Sequence, residues 1–133
     1  MLEDYIETNR LSARIVKTKK NTQSIVCAVF LADNNPVLAI HFSSGSLSAE
    51  KIKQALVCEE LSVPTDKEVF EITGYESGFV PPISIFEIKV LLDKKLLSPK
   101  TLSCPISETH SLEISPREIQ EQNEDSVVGE FSR

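Results

Sequence analysis

An irregular loop at residues 73–82 holds the residues whose types and spacing best suit binding or catalysis. It contains Gly74 and Gly78, two of the four glycines in the chain, and Pro81 and Pro82, two of its seven prolines. Glycine reaches positive φ and lets a ligand approach the backbone, whereas proline fixes φ at about −65° and removes an N–H. Residues 78–82 therefore predict a stiff, specific surface. The alternative is an ordinary turn after a helix, with Gly74 as its C-cap.

The three cysteines and two histidines indicate neither a metal site nor a disulfide framework. Cys27, Cys58 and Cys104 are widely spaced and include no C-x-x-C pair. Cys27 is disfavoured as a nucleophile, because its apolar neighbours indicate burial and burial raises the pKa of a thiol. His41 and His110 are too far apart in sequence to argue for a metal. His41 is expected on a strand face, packed or solvated.

Hydrophobic periodicity predicts alternating helices and strands along the chain. Thr65 and Glu68 fit a capping box, and Ser115 with Pro116 marks another helix start. The predicted helices cover residues 2–9, 48–57, 65–73 and 115–122, and the predicted strands cover 11–17, 25–31, 37–42, 88–92, 101–104, 111–114 and 127–131, with a hairpin turn at 33–36. The order contains no long βαβ repeat. It predicts an α+β fold, a single domain over residues 1–133, with a mixed, largely antiparallel sheet and flanking helices.

The composition predicts a compact, cytoplasmic domain. With 133 residues, 41% of them hydrophobic, the chain can bury roughly two thirds of its unfolded surface. No apolar run approaches the roughly 20 residues that a membrane span needs. The start of the chain, residues 1–4, is acidic where a secretory signal would be basic. No membrane partner is therefore expected.

The net charge of −6 is unevenly distributed, since residues 101–133 carry a net charge of −5 and the first hundred residues carry a net charge of −1. Nucleic acids bind where Lys and Arg neutralise phosphates. In the first hundred residues a basic run could meet phosphate, or it could protect a solvated edge strand. The run consists of Arg10, Arg14, Lys17, Lys19 and Lys20.

Three stretches carry a family resemblance, and they occur in the order residues 68–82 (EVFEITGYESGFVPP), Asp93 with Leu96 and Leu97, and residues 112–119 (LEISPREI). Together they resemble the YbaK family, which also supplies the editing domain inserted in bacterial prolyl-tRNA synthetases. The resemblance covers about the C-terminal two thirds of the chain and implies a YbaK-like fold. Free-standing members hydrolyse wrongly charged aminoacyl-tRNA, typically alanine or cysteine on the proline tRNA, without a metal or a cofactor.

The resemblance also implies roles for particular residues. In active members a catalytic lysine faces the glycine-rich loop. The local motif RIVKT (residues 14–18) matches this lysine to Lys17, whereas the spacing to the hairpin matches it to a position near Cys27. Spacing is the stronger guide, because strand pairing sets the register. His110 lies near a position where some relatives have a functional histidine, with an exposed loop histidine as the alternative. The predicted substrate-binding residues are Gly78, Phe79, Val80, Pro81 and Cys27, of which residues 78–80 would supply N–H donors and a pocket wall.

Two departures from active relatives leave two functions open. A Gly-Gly pair of the family is Gly78-Phe79 here, and a glycine-rich segment is replaced by residues 103–107. The resemblance implies a trans-editing hydrolase that removes a small amino acid from the proline tRNA, with Lys17 as the candidate cation. The alternative is a catalytically degenerate module that binds an aminoacyl-tRNA end, a nucleotide or a protein partner without hydrolysis. The tRNA contact is expected to be weak or transient, and no cofactor or metal is expected.

Overall fold

The computed structural model describes residues 2–19 and 23–133, so Met1 of the acidic start and Lys20 of the basic run lie outside the described residues. The helices are α1 (Leu2–Thr8), α2 (Ala49–Leu56), α3 (Asp66–Thr73) and α4 (Pro116–Gln122), with a 3₁₀ helix at Lys94–Leu97. The strands are β1 (Arg14–Lys17), β2 (Ile25–Ala32), β3 (Asn35–Phe42), β4 (Leu61–Ser62), β5 (Lys89–Asp93), β6 (Leu102–Pro105), β7 (His110–Ile114) and β8 (Val127–Gly129). Within the described part of the chain, every helix is too short to cross a membrane.

The strands form two sheets. The smaller has the order β1-β7-β6 and is antiparallel throughout. The larger has the order β4-β2-β3-β5-β8, in which β2 pairs antiparallel with β3 and β4, whereas β3–β5 and β5–β8 are parallel pairs. Antiparallel pairs predominate, so the predicted α+β fold with a mixed, largely antiparallel sheet is confirmed.

The main core lies between the two sheets. Alternate side chains of β2, β3 and β5 meet those of β6 and β7, and the most deeply buried of them are Ile25, Leu38, Ile40, Leu92, Leu102, Leu112 and Ile114. A second, smaller core covers the other face of the five-stranded sheet, where Ile52 of α2 and Phe131 pack near Ala39 and Leu91. The larger sheet is therefore packed on both faces. Each large apolar side chain that is fully buried there contributes about 1.5–3 kcal/mol to the stability of the fold.

Capping signals in the sequence stand at the ends of the observed helices. Thr65 Oγ1 accepts a hydrogen bond from the Glu68 N–H at 3.2 Å, and Glu68 Oε1 accepts one from the Thr65 N–H at 3.0 Å. Gly74 ends α3 with φ 80°. The Ser115 hydroxyl accepts a hydrogen bond from the Glu118 N–H at the start of α4. The predicted capping box, the stop at Gly74 and the helix start at Ser115 are confirmed.

Element boundaries differ from the prediction where local geometry decides them. Asp33 and Asn34 take φ 46° and 68°, the two-residue turn form that suits the twist of a hairpin, so β3 begins at Asn35 and includes Pro36. The first strand begins at Arg14 rather than residue 11, and the last ends at Gly129 rather than residue 131. The two-residue strand β4 was not predicted, because it is too short to show periodicity.

Candidate active site

The glycine loop, residues 74–84, is tied to the fold near its start and near its end. The Tyr75 N–H donates to Thr73 Oγ1 at 3.0 Å. The hydroxyls of Tyr75 and Ser84 share a short hydrogen bond across the loop. Asn123, which follows α4, donates from Nδ2 to the Pro82 carbonyl oxygen at 2.8 Å. These contacts fix the path of the loop between α3 and β5.

Gly78 lies at the exposed tip of the glycine loop. Its φ of +91° is in the left-handed region that favours glycine. The Phe79 N–H donates to the Glu76 carbonyl oxygen at 2.9 Å, which closes a turn and engages that amide. The N–H groups of Gly78 and Val80 have no hydrogen-bond partner among the described residues. Of the predicted donors at residues 78–80, Gly78 therefore offers the exposed, unengaged N–H.

A cleft of about 590 Å³ opens between the glycine loop and the turn that joins β6 to β7. We call it the loop cleft. Phe70, Tyr75 and Phe79 line one side, and residues 106–109 line the other. Pockets of roughly 300–1,000 Å³ commonly hold small ligands, so the loop cleft has a suitable size for one.

The charged side chains in the loop cleft are carboxylates. Glu76 comes from the glycine loop and Glu108 from the β6–β7 turn, and both residues are exposed. Among the described residues that line the loop cleft there is no lysine or arginine. A negative lining attracts cationic groups and repels phosphate. Sequence reasoning missed both glutamates; Glu76 lies within the loop that it singled out, but only the fold brings Glu108 beside it.

Strands β1 and β7 place the two predicted catalytic residues opposite each other, Lys17 facing His110 in the antiparallel register. Directly paired residues point to the same face of a sheet. His110 Nδ1 lies 2.8 Å from Thr109 Oγ1, and the His110 N–H donates to Ser107 Oγ at 3.0 Å. Ser107 and Thr109 line the loop cleft, so these bonds join His110 to its wall, but His110 itself is not among the lining residues. Lys17 is exposed beside it and is not among the lining residues.

Three other predicted site residues support the glycine loop from the core instead of lining the cleft. Val80 and Pro81 are buried, as apolar side chains are when the core can accept them. Cys27 is also buried, with its Sγ 3.9 Å from Cys104 Sγ. The Cys104 thiol donates to the Val80 carbonyl oxygen at 3.5 Å. The predicted burial of Cys27 is confirmed, and this burial, together with the hydrogen bond to Cys104, raises the pKa of its thiol well above the ordinary value.

Metal-binding groups are not clustered in the described part of the chain. No three His, Cys, Asp or Glu side chains there lie close enough together to hold an ion. His41 is buried on β3, and its Nδ1 has no hydrogen-bond partner among the described residues. Burial lowers the pKa of His41, opposed by the Phe42 backbone and the nearby charge of Asp93. His41 is thus packed on a strand face, one of the two environments expected for it.

A family model for the aminoacyl-tRNA editing domain matches residues 9–121. This match includes the glycine loop and the β6–β7 turn, which form the two sides of the loop cleft, together with Lys17 and His110. The chain therefore belongs to the aminoacyl-tRNA editing domain family, and the predicted YbaK-type resemblance is confirmed.

Curated relatives point to the same family. The chain is 33% identical over 78 residues to the proline–tRNA ligase of Citrifermentans bemidjiense, which is 58% of this chain and 14% of the ligase. It is 32% identical over 74 residues to the proline–tRNA ligase of Syntrophus aciditrophicus, which is 56% of this chain and 13% of the ligase. The similarity thus spans a small part of each ligase.

Solved structures agree with the fold. The hypothetical protein APE2540 superposes with a TM-score of 0.87 at 23% identity, and 99% of each chain is covered. A protein proposed to be a trans-editing enzyme for prolyl tRNA synthetase superposes with a TM-score of 0.88 at 18% identity, covering 99% of this chain and 94% of that one. At these identities the likeness concerns the fold alone, and the predicted YbaK-like fold is confirmed.

Proposed function

We propose that this chain is a trans-editing hydrolase, one domain over residues 1–133, that removes a wrongly attached small amino acid from the proline tRNA. The family match over residues 9–121 and the proline–tRNA ligase relatives support this proposal. The observation that carries it is the loop cleft, which lies inside the matched region and is lined by the glycine loop. A cytoplasmic location and a transient tRNA contact follow from such a role.

The charge of the loop cleft suits the aminoacyl end of the substrate. An α-amino group has a pKa of about 7.7–8.0 in peptides, so much of it is cationic at pH 7. Glu76 and Glu108 supply the opposite charge in the lining. Phe79 also lines the cleft, and its half-buried ring takes space that a bulky amino-acid side chain would need. The cleft therefore favours a small amino acid such as alanine or cysteine.

The proposed chemistry is attack of water on the ester carbonyl. A water oxygen bonds to the carbonyl carbon, the bond to the ribose oxygen breaks, and the ribose oxygen leaves with a proton. Gly78 is not among the residues that line the loop cleft, but it precedes Phe79, which does line it. Its N–H is the proposed donor to the oxygen that becomes negative, an interaction worth about 3–4 kcal/mol in other hydrolases. With His110 Nδ1–H donating to Thr109 Oγ1, Nε2 keeps a lone pair that can take the proton from water. Lys17, opposite His110, supplies the nearby cation.

Release of amino acid from alanyl- and cysteinyl-charged proline tRNA tests the proposal. The purified protein is expected to release both amino acids with turnover. His110→Ala is expected to lower the rate by roughly 10²–10⁴-fold, the usual contribution of a general base. Lys17→Ala should also lower it, whereas Lys19→Ala, which removes an exposed charge nearby, should not.

One result would contradict the proposed hydrolase, and another would contradict the proposed roles of His110 and Lys17. If neither charged tRNA loses its amino acid while both still bind, the chain is a binding module of the same fold. If release occurs but His110→Ala and Lys17→Ala leave its rate unchanged, other residues carry the chemistry.

A further inference from the structure

A second cavity, of about 440 Å³, has a charge opposite to that of the loop cleft. We call it the basic pocket. Three chain segments meet there, namely α2, the 3₁₀ helix with Ser98, and the last four residues of the chain. Its lining consists of Lys51, Lys94, Lys95, Ser98, Glu130, Ser132 and Arg133.

Backbone hydrogen bonds hold these segments together. The Ser48 N–H donates to the Phe131 carbonyl oxygen at 2.7 Å, and the Arg133 N–H donates to the Ser46 carbonyl oxygen at 2.9 Å. Lys51 Nζ donates to the Ser132 carbonyl oxygen at 2.9 Å. On the other side, the buried Asp93 accepts a hydrogen bond from the Lys95 N–H and so caps the 3₁₀ helix. The basic side chains therefore project from a framework that the fold positions.

The side chains that line the basic pocket carry four positive charges and one negative charge. The surplus is three, and an α-carboxylate on Arg133 would reduce it to two. Such a local surplus stands out in a chain whose net charge is −6. Cations gathered around one cavity raise the local concentration of anionic ligands.

The basic run near the N-terminus is a weaker candidate for phosphate. Arg14 Nε lies 2.9 Å from Glu113 Oε1, so one of its charges is already paired. Arg10 lines a groove together with Glu3 and Glu7, whose carboxylates offset its charge. The described part of this run therefore offers less unbalanced positive charge than the basic pocket does.

We propose that the basic pocket binds phosphate groups of the tRNA, away from the loop cleft. This inference rests on the proposed function, since it names a second contact for the same substrate. The loop cleft is lined by carboxylates, so the phosphates of a bound tRNA need cations elsewhere on the domain. Lysine, arginine and serine hydroxyls are common partners of nucleic-acid phosphates. Among the described residues, the lining contains no apolar side chain of the kind that anchors a protein in a membrane surface.

The salt dependence of binding to a proline tRNA transcript that carries no amino acid tests this site. The variant is Lys94→Gln/Lys95→Gln, and the matched control is Lys19→Gln/Lys67→Gln, which removes the same charge from two other exposed positions. Each lost phosphate contact makes the slope of log affinity against log salt shallower by about one. The pocket variant is expected to lose affinity and to have a slope shallower by about two, while the control keeps the wild-type slope. Thermal unfolding checks that both variants are folded.

Equal losses in the two variants would overturn the proposal, because net charge alone would then explain them. An unchanged tRNA affinity of the folded pocket variant would overturn it as well. So would a pocket variant that binds tRNA normally but loses binding to polyglutamate or to anionic vesicles. Because the transcript carries no amino acid, the binding result does not depend on hydrolysis. Pocket-dependent tRNA binding without release of amino acid would contradict the trans-editing hydrolase and leave the phosphate site standing.

Discussion

Replacing Gly78 by alanine tests whether the tip of the glycine loop has the backbone conformation described above. The φ of +91° costs an L-residue about 1–2 kcal/mol relative to glycine. A Cβ built on Gly78 meets no atom within 4 Å, so steric contact adds nothing to this cost. For a domain of this size, 1 kcal/mol lowers Tm by roughly 3–5 °C. We therefore expect Gly78→Ala to lower Tm by roughly 3–10 °C, measured by circular dichroism.

The same substitution should affect deacylation more than stability. Alanine favours negative φ, so the loop tip is expected to relax and to change the direction of the N–H at position 78, the proposed oxyanion donor. Losing one oxyanion donor lowers the rate by roughly 10²–10³-fold in other hydrolases. The assay is release of alanine from the charged proline tRNA under single-turnover conditions, at a temperature where the variant is fully folded.

Gly45→Ala is the matched control, because the φ of Gly45 lies outside the left-handed region and its nearest contact is the Phe42 carbonyl oxygen at 3.7 Å. That variant should be as stable as the wild type or slightly more stable, by about 0.4–1 kcal/mol. Gly78→Asn should retain more stability than Gly78→Ala, since asparagine tolerates positive φ better. A Gly78→Ala protein with wild-type Tm and wild-type deacylation would refute the reasoning.

Three further predictions concern the surroundings of the loop cleft. Asn123→Ala removes the hydrogen bonds that Nδ2 donates to the carbonyl oxygens of Pro82 in the loop and Ile119 in α4, and urea denaturation should show a loss of about 1–2 kcal/mol. An unchanged midpoint would mean that these contacts do not hold the loop to α4. In a thiol-reagent assay at pH 8, the partly exposed Cys58 should react first. Cys27, whose pKa is raised by burial, and the buried Cys104 should react only when the protein unfolds. Equal reaction rates for all three thiols would contradict the burial of Cys27 and Cys104. Because burial lowers the pKa of His41, the unfolded state binds its proton more readily, so the free energy of unfolding should fall as pH drops below about 6.5. His41→Gln should remove this part of the pH profile, and an unaltered profile would count against the buried, neutral histidine.

Signals that act within a few residues made most of the fold predictable. Thr65 and Glu68 satisfy each other's backbone across one turn, and Gly74 ends the same helix through its own φ. Such effects need no information about the rest of the chain. Strand ends were harder to place, because pairing with a distant strand decides them: β8 ends at Gly129, where its pairing with Asp93 of β5 ends. The short β4 exists only through its pairing with β2.

The candidate site was predictable in its loop and not in its partners. Gly78, Pro81 and Pro82 indicate an unusual backbone conformation by their residue types alone. In contrast, Glu108 reads as one exposed charge in a turn, and nothing in the sequence places it across a cleft from Glu76. The basic pocket could not be predicted for the same reason. Its four cations come from three separate segments, and in the sequence each of them looks like an ordinary solvated surface charge.

Comparison of amino-acid release from three forms of the proline tRNA, charged with alanine, cysteine or proline, tests the central claim most directly. The proposed trans-editing function predicts fast release of alanine or cysteine by the wild-type protein and little release of the correctly attached proline. Stable ester bonds on all three tRNAs, in the presence of folded protein that binds them, would contradict it.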